Sequence, residues 1–260
     1  MRERSVRAWR TSSAGVADGV SGWASDGVDP ALYSRQLSEH GYVAACATPI
    51  FKSDPKAILE YAHANAKVLG SSTLTILTIE SGIESSNGST TAATLRSSNV
   101  GDSGFKVIRG GSIVLSSGVM EHYFNCPMQL ADPGLVPDAD TPSCAQSLSF
   151  DLIKGDVIVL ATDGVFDNIF DEDLVKLCQM AMARPNPQGA SRAEALASDI
   201  AEAAAGKAKD PTYESPFSKE AFEREKKMQT FSAVLSMFDQ SNPYTGGKLD
   251  DVTCVVATVN

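Results

Sequence analysis

Three acidic turns, far apart in the chain, carry the residues best suited to chemistry. Asp163-Gly164 stands in GDVIVLATDGVFDN (155–168), Asp18-Gly19 in GVADGVSGW (15–23), and Asp250-Asp251 in GGKLDDVTCVVATV (246–259). Each abuts strand-forming residues: 157–160 before Asp163, the short apolar stretch 15–17 before Asp18, and 252–259 after Asp250. A carboxylate at the end of a rigid strand is pre-positioned for a hard cation, and a neighbouring glycine, lacking Cβ, lets backbone approach closely. One such turn alone reads as a loop cap, with Asp167 and Asn168 opening the next helix. Three of them, delivered by different strands to one edge, make a multi-aspartate pocket. Oxygen-only ligands of that kind suit Mg²⁺ or Mn²⁺ rather than zinc or copper.

Other catalytic arrangements find no support. His40, His63 and His122 lie in unrelated surroundings and no GxSxG elbow occurs, so a Ser-His-Asp triad is not indicated. GxxxxGK[ST] is absent, and no GxGxxG follows a strand. Metal chemistry remains. Two hard cations bridged by a carboxylate lower the pKa of a bound water from ~15.7 toward ~7 and clamp phosphoryl oxygens for in-line attack. Asp18, at a glycine turn, is the natural bridging residue.

The chain has 260 residues and 43% apolar content, enough for one large or two small globular domains with a sizeable core. Its 22 basic and 32 acidic residues give a net charge of −10. That balance argues against a nucleic-acid or anionic-membrane partner and suits a cation-loaded acidic site. Apolar runs are strand-sized, so no membrane span is expected. Five cysteines without CxxC spacing suggest neither a disulfide framework nor a zinc site, which points to a reducing, intracellular compartment. The N-terminus MRERSVRAWRTSS is Arg- and Ser-rich like part of a transit peptide, but is too short for a complete one and reads as part of the first strand.

The elements that must position the acids follow in order. Residues 8–17 are weakly strand-like. Apolar spacing predicts helices over 31–47 and 56–69, the second opened by Pro55, and both stripes read as core packing. Strands are expected over 73–80 and 91–100, with a turn at 85–89 between them. Gly110-Gly111 between 105–109 and 112–115 is a hairpin signature, so these strands are antiparallel. Residues 116–149, with prolines at 127, 133, 137 and 142, read as a long surface excursion. Strands over 150–154 and 157–161 are followed by helices over 171–183, 191–209 and 219–227, then by the closing strand. No internal repeat or domain boundary is visible, so 1–260 reads as one domain.

These motifs resemble a known family. GVADGVSGW (15–23), GSST (70–73), NVGDSGF (99–105), ATDGVFDN (161–168) and KLDDVT (248–253) match, in order and spacing, the metal-dependent protein phosphatase 2C family. EHYFNCPMQL (121–130) and DPTYESPFSKEA (210–221) resemble its branch of eukaryotic organellar phosphatases, related to bacterial sporulation phosphatases. The resemblance implies an α+β fold, an α-β-β-α sandwich of two antiparallel sheets flanked by helices. It implies hydrolysis of phosphoserine or phosphothreonine in protein substrates by a monomer, with mitochondrion or chloroplast as the compartment. By motif, Asp18 would bridge two Mg²⁺ or Mn²⁺ ions, the Gly19 carbonyl would contact one, and Asp163 and Asp250 would complete the other's protein ligands. A water between the metals would be the nucleophile. Asp102 matches an aspartate that organises the pocket, and Asp251 reads as structural.

Two departures accompany the match. Where the family carries Glu-Asp in an early strand, this chain has Val6 and Arg7 within SVRAWR, so a metal-associated carboxylate is missing unless a shifted alignment supplies Glu3. A truncated or mis-started chain, lacking part of its first strand, is the other account. The phosphate-binding basic residue is unassigned among Arg2, Arg4, Arg7 and Arg10. Val20 also follows Asp18-Gly19, where many members carry histidine; His122 reads as a structural histidine. Trp23 is expected in the core, and Cys178 and Cys254 as buried thiols. The alternative function that these departures motivate is a weakened pseudophosphatase acting as a binding or scaffold module.

Overall fold

The computed structural model describes residues 7–8, 13–47, 53–81, 93–185, 190–229 and 245–260. Glu3, Val6, Trp9, Arg2, Arg4, Arg10 and the turn expected at 85–89 lie outside them. The chain divides into two compact units, Met1–Thr162 with Val255–Asn260, and Asp163–Cys254.

In the first unit, strands β1 (Arg7–Ala8) and β2 (Ser13–Val16) pair antiparallel. Helix α1 (Ala31–Ala47) spans the expected range and buries Tyr33, Leu37, Ala44 and Ala45. Helix α2 (Pro55–Asn65) starts where Pro55 is tolerated and where the Asp54 carboxylate accepts the N–H groups of Lys56 and Ala57 at 3.0 and 3.1 Å. It stops short of the expected 69. Ala66 is already extended (ψ 117°), and the Lys67 N–H donates to the Gln36 side chain at 2.7 Å. The chain then runs out to a short strand, β3 (Ser71–Ser72), leaving Leu69 exposed.

Strands β4 (Leu74–Ser81), β5 (Ala93–Val100), β6 (Gly104–Arg109) and β7 (Ser112–Ser116) follow. The β6–β7 turn has positive φ at both Gly110 and Gly111, 56° and 84°, as a two-residue hairpin turn requires. The stretch 116–149 is more ordered than a surface excursion. It holds β8 (Glu121–Tyr123), β9 (Cys126–Pro127) and β10 (Leu130–Ala131), and β10 is buried and paired with β3. Its prolines signalled loop, and the strands between them are too short to register as alternation. Strand β11 (Gln146–Leu152) begins earlier than expected, and β12 (Val157–Ala161) is buried at every position. The last strand is β13 (Cys254–Thr258).

These strands form a five-stranded sheet, β1-β2-β4-β5-β11, and a four-stranded sheet, β13-β12-β6-β7. Period-two alternation gives β4 two different faces. Leu74 and Ile76 join the core with Tyr33, Leu37, Ile58 and Leu59 of the helices. Leu77 and Ile79 join the core with Phe105, Val107, Ile158 and Leu160 of the second sheet. The expected α+β sandwich, two antiparallel sheets with helices packed outside, is therefore realised.

The second unit is helical: α3 (Asp163–Phe166), α4 (Asp171–Ala183), α5 (Arg192–Ala208) and α6 (Pro216–Gln229). The start of α5 is set by a capping box, with the Ser191 hydroxyl accepting the Glu194 N–H and the Glu194 carboxylate accepting the Ser191 N–H. Three acids open α4, where the helix dipole favours them. No helix among the described residues is long and apolar enough to cross a membrane.

One polar pair is built into the first unit. Asp156 is fully buried and receives Nε and Nη2 of Arg109 at 2.8 and 2.7 Å, together with the Ile153 N–H at 2.9 Å. Removing one partner strands the other charge. Arg109→Ala, which leaves the fully buried Asp156 carboxylate without its ion partner, should therefore cost about 3–5 kcal/mol in urea unfolding; a cost below about 1 kcal/mol would show that the pair does not stabilise the sandwich.

Candidate metal centre

The Asp18 turn is held by its backbone. Beyond the end of β2, the Asp18 N–H donates to Thr73 Oγ1 (3.3 Å), and its carbonyl accepts the Thr73 N–H (2.9 Å) and the Ser72 hydroxyl (2.8 Å). Gly19 forms a β-bridge with Ser72, and the Val20 N–H donates to the Ser71 carbonyl. Thr73 Oγ1 is also hydrogen-bonded to Ser103 Oγ at 2.8 Å. Gly19 must be glycine, because a Cβ there would lie 2.0 Å from the Pro30 carbonyl oxygen. The clamp leaves Asp18 8% exposed. The sequence flagged Ser72, Thr73 and Ser103 only as parts of matching motifs, since hydroxyls that position a backbone look like ordinary strand-end residues. Trp23 departs from the core packing expected of it: it is half-buried in a 3-10 turn, and its indole N–H donates to Ser71 Oγ at 2.6 Å. Asp102 is half-buried in the turn before β6.

Asp163 and Asp250 belong to the second unit, and a different clamp brings them together. Asp163 is the first residue of α3. The buried Asn168 amide donates to the carbonyls of Gly164 (3.0 Å) and Lys248 (2.9 Å), and its oxygen accepts the Lys248 N–H (2.9 Å). Chain segments 80 residues apart are thereby tied together. Gly164 makes the approach tolerable, since a Cβ there would lie 2.5 Å from the Asp251 carbonyl oxygen. Asp163 and Asp250 consequently offer carboxylate oxygens within 4.8 Å of one another. The Asp251 N–H donates to Asp250 Oδ1 at 2.7 Å.

Lys248 lies among these acids. Its Nζ is 2.6 Å from Asp163 Oδ2, 2.6 Å from Asp167 Oδ2 and 3.8 Å from Asp250 Oδ2. Burial alone would lower its ammonium, but the charges of Asp163 and Asp167 reverse that and hold it well above the ordinary lysine range. Burial pushes the Asp167 carboxyl up to about 6; Lys248 opposes the rise, while the charges of Asp163 and Asp250 add to it. Asp167 and Lys248 were missed as members of the site, although both stand inside the quoted motifs. Asp167 does not open the next helix: it follows α3, and α4 starts at Asp171.

The donors fit a hard cation. Among the described residues Asp163 Oδ1 is buried and has no hydrogen-bond partner, an expensive state for a carboxylate oxygen unless a ligand takes it. The acids around it supply only oxygens, as Mg²⁺ and Mn²⁺ prefer. Of the thiols expected to be buried, Cys178 is, whereas Cys254 is half-buried.

No family model matches the chain. It is 34% identical over 254 residues to probable protein phosphatase 2C 26 of Arabidopsis thaliana, covering 98% of this chain and 76% of the relative. It is 35% identical over 255 residues to the human protein phosphatase PTC7 homolog, covering 94% and 74%. Against three further plant proteins named as probable protein phosphatases 2C, the chain spans 65%, 51% and 45% of their length. Among solved structures it resembles the photosystem II phosphatase PBCP, with a TM-score of 0.78 and 32% identity over 98% of this chain and 90% of that one. With these similarities covering nearly its whole length, the chain belongs to the protein phosphatase 2C family and is a metal-dependent protein serine/threonine phosphatase.

Proposed function

We propose that the two units act as one phosphatase domain that hydrolyses phosphoserine and phosphothreonine in proteins at a centre for two Mg²⁺ or Mn²⁺ ions. By the resemblance, Asp18, the Gly19 carbonyl, Asp163 and Asp250 would hold these ions. The observation that carries this reading is the buried, unpartnered Oδ1 of Asp163 beside a carboxylate oxygen of Asp250. Bound divalent cations supply Lewis acidity, bringing the pKa of a water from ~15.7 toward ~7 and offsetting the charge of phosphoryl oxygens. The protein's part is positional. Thr73 and Ser72 fix the Asp18 backbone, while Asn168 and Gly164 set the spacing between Asp163 and Asp250. With Val20 after Asp18-Gly19, the leaving serine or threonine oxygen takes its proton from water. We read the enzyme as a monomer of a reducing intracellular compartment, mitochondrion or chloroplast by resemblance.

Asp18→Asn, Asp163→Asn and Asp250→Asn should each lower phosphopeptide hydrolysis at least about 100-fold, since even outer-shell partners of a metal ligand are worth 10–100-fold. EDTA should abolish wild-type activity and Mn²⁺ should restore it; full activity in any one Asn variant would remove that residue from the site.

Val6 and Arg7 stand where the family has Glu-Asp, so the ion on the Gly19 side has fewer protein carboxylates than the ion on Asp163 and Asp250. Because ligand charge tunes affinity, Mn²⁺ calorimetry should resolve two events differing by about tenfold or more, and two equal affinities would contradict the ligand assignment. Gly164→Ala must shift the backbone of residue 251, and should weaken Mn²⁺ binding roughly 10- to 100-fold. An unchanged affinity would show that this close approach does not set the spacing.

A further inference from the structure

Lys248 is not a surface lysine that happens to meet an acid. Its side chain is 16% exposed, and its backbone is fixed from both directions. Asn168 takes both its N–H and its carbonyl. The two preceding residues are anchored as well: the Gly246 N–H donates to the Tyr213 carbonyl (2.8 Å), the Gly246 carbonyl accepts the Ser215 hydroxyl (3.0 Å), and the Gly247 N–H donates to the Asp210 carbonyl (3.1 Å). A Cβ on Gly247 would lie 2.2 Å from the Lys207 carbonyl oxygen, so even the path into Lys248 depends on glycine. Nζ lies over the Phe217 ring, 5.0 Å from its centroid, and within reach of three carboxylates. A lysine placed this firmly has little rotamer freedom left to lose on pairing.

The pairing pattern is selective. The ammonium takes Oδ2 of Asp163 and leaves Oδ1 without a partner. Three carboxylates and one ammonium leave a net charge of −2 in this cluster, equal and opposite to a divalent cation. Without the ammonium, Asp163, Asp167 and Asp250 would repel one another at close range in a partly desolvated site, and folding would have to bear that repulsion.

We propose that Lys248 is a built-in counter-cation of the metal centre, holding the acids of the second unit in place before an ion arrives and thereby weakening the ion's affinity. The proposal rests on the reading that Asp163 and Asp250 bind metal. Its logic is linkage: a fixed positive charge that stabilises the ion-free state is subtracted from what the ion gains on binding. Lys248 is a positioning residue, and its consequence is a metal occupancy whose midpoint lies at a roughly 5- to 10-fold higher ion concentration than it would without the fixed charge.

The test uses the full chain with Lys248→Met, which keeps the stem and removes the charge, and Lys248→Arg, which keeps the charge. Thermal unfolding is followed in EDTA and in saturating Mn²⁺, and Mn²⁺ affinity is measured by calorimetry. Lys248→Met should unfold at a lower temperature in EDTA, recover most of that loss in Mn²⁺, and bind Mn²⁺ roughly 5- to 10-fold more tightly than wild type. Lys248→Arg should stay near wild type in all three readings. Weaker or unchanged Mn²⁺ binding by Lys248→Met, an equal loss of unfolding temperature with and without metal, or an Arg variant that behaves like Met would each overturn the proposal. Wild-type protein that binds no Mn²⁺ would contradict the metal centre itself, and the proposal with it.

Discussion

At Gly19 and at Gly164 the backbone passes so near a carbonyl oxygen that one added carbon would collide, at 2.0 Å from Pro30 and 2.5 Å from Asp251. Everything proposed for the metal centre depends on those two close approaches. In each case the residue before the glycine is an aspartate, so the place where backbone can come nearest is also the place where a carboxylate is presented. The Asp-Gly pair therefore acts less as a flexible turn than as a spacer of fixed length. Around it the neighbouring chain is stitched by hydrogen bonds to Ser72 and Thr73 in one unit and to Asn168 in the other. Metal ligands held by backbone rather than by long side chains lose little entropy on binding an ion, which favours preorganised coordination.

Charge is the second constraint, and it acts against the first. Spacing that brings carboxylates together for an ion also brings their repulsion into the folded protein. Asp167 shows the strain, its carboxyl pushed up to about 6 by burial and by its acidic neighbours. Lys248 relieves it, sharing one ammonium between Asp163 and Asp167 at 2.6 Å each. The Arg109–Asp156 pair of the first unit follows a simpler logic, because there one charge meets one charge and both oxygens of the buried carboxylate are taken, Oδ1 by Arg109 Nε and Oδ2 by Arg109 Nη2 and the Ile153 N–H. The difference between the two lies in Asp163 Oδ1, which has no hydrogen-bond partner among the described residues.

Much of the fold was legible in the sequence because its elements announce themselves locally. Helix α1 follows from apolar spacing, and the β6–β7 hairpin from Gly110-Gly111. What was not legible depended on partners distant in the chain. The end of α2 is decided by Gln36 and by the pull of β3, not by the apolar stripe that continued to Leu69. The β10 pairing with β3 is invisible in a proline-marked stretch, since two-residue strands carry no period. At the site, Asp18, Asp163 and Asp250 could be named because acids in turns at strand ends have a direct chemical reading, and Gly19 because its motif resembles that of a known family. Lys248 and Asp167 could not, since a lysine is read as solvated until the carboxylates on three sides of it are seen.

The central claim is that Asp18, Asp163 and Asp250 together hold two divalent ions. Anomalous diffraction from crystals of the full chain soaked in Mn²⁺, recorded at the manganese absorption edge, tests it most directly. The account predicts two anomalous peaks, both within about 2–2.3 Å of an Asp18 oxygen, one of them also bonded to Asp163 and Asp250 and the other to the Gly19 carbonyl. Peaks bonded elsewhere, or no peak on Asp163 and Asp250 in a protein that hydrolyses phosphopeptides, would contradict it.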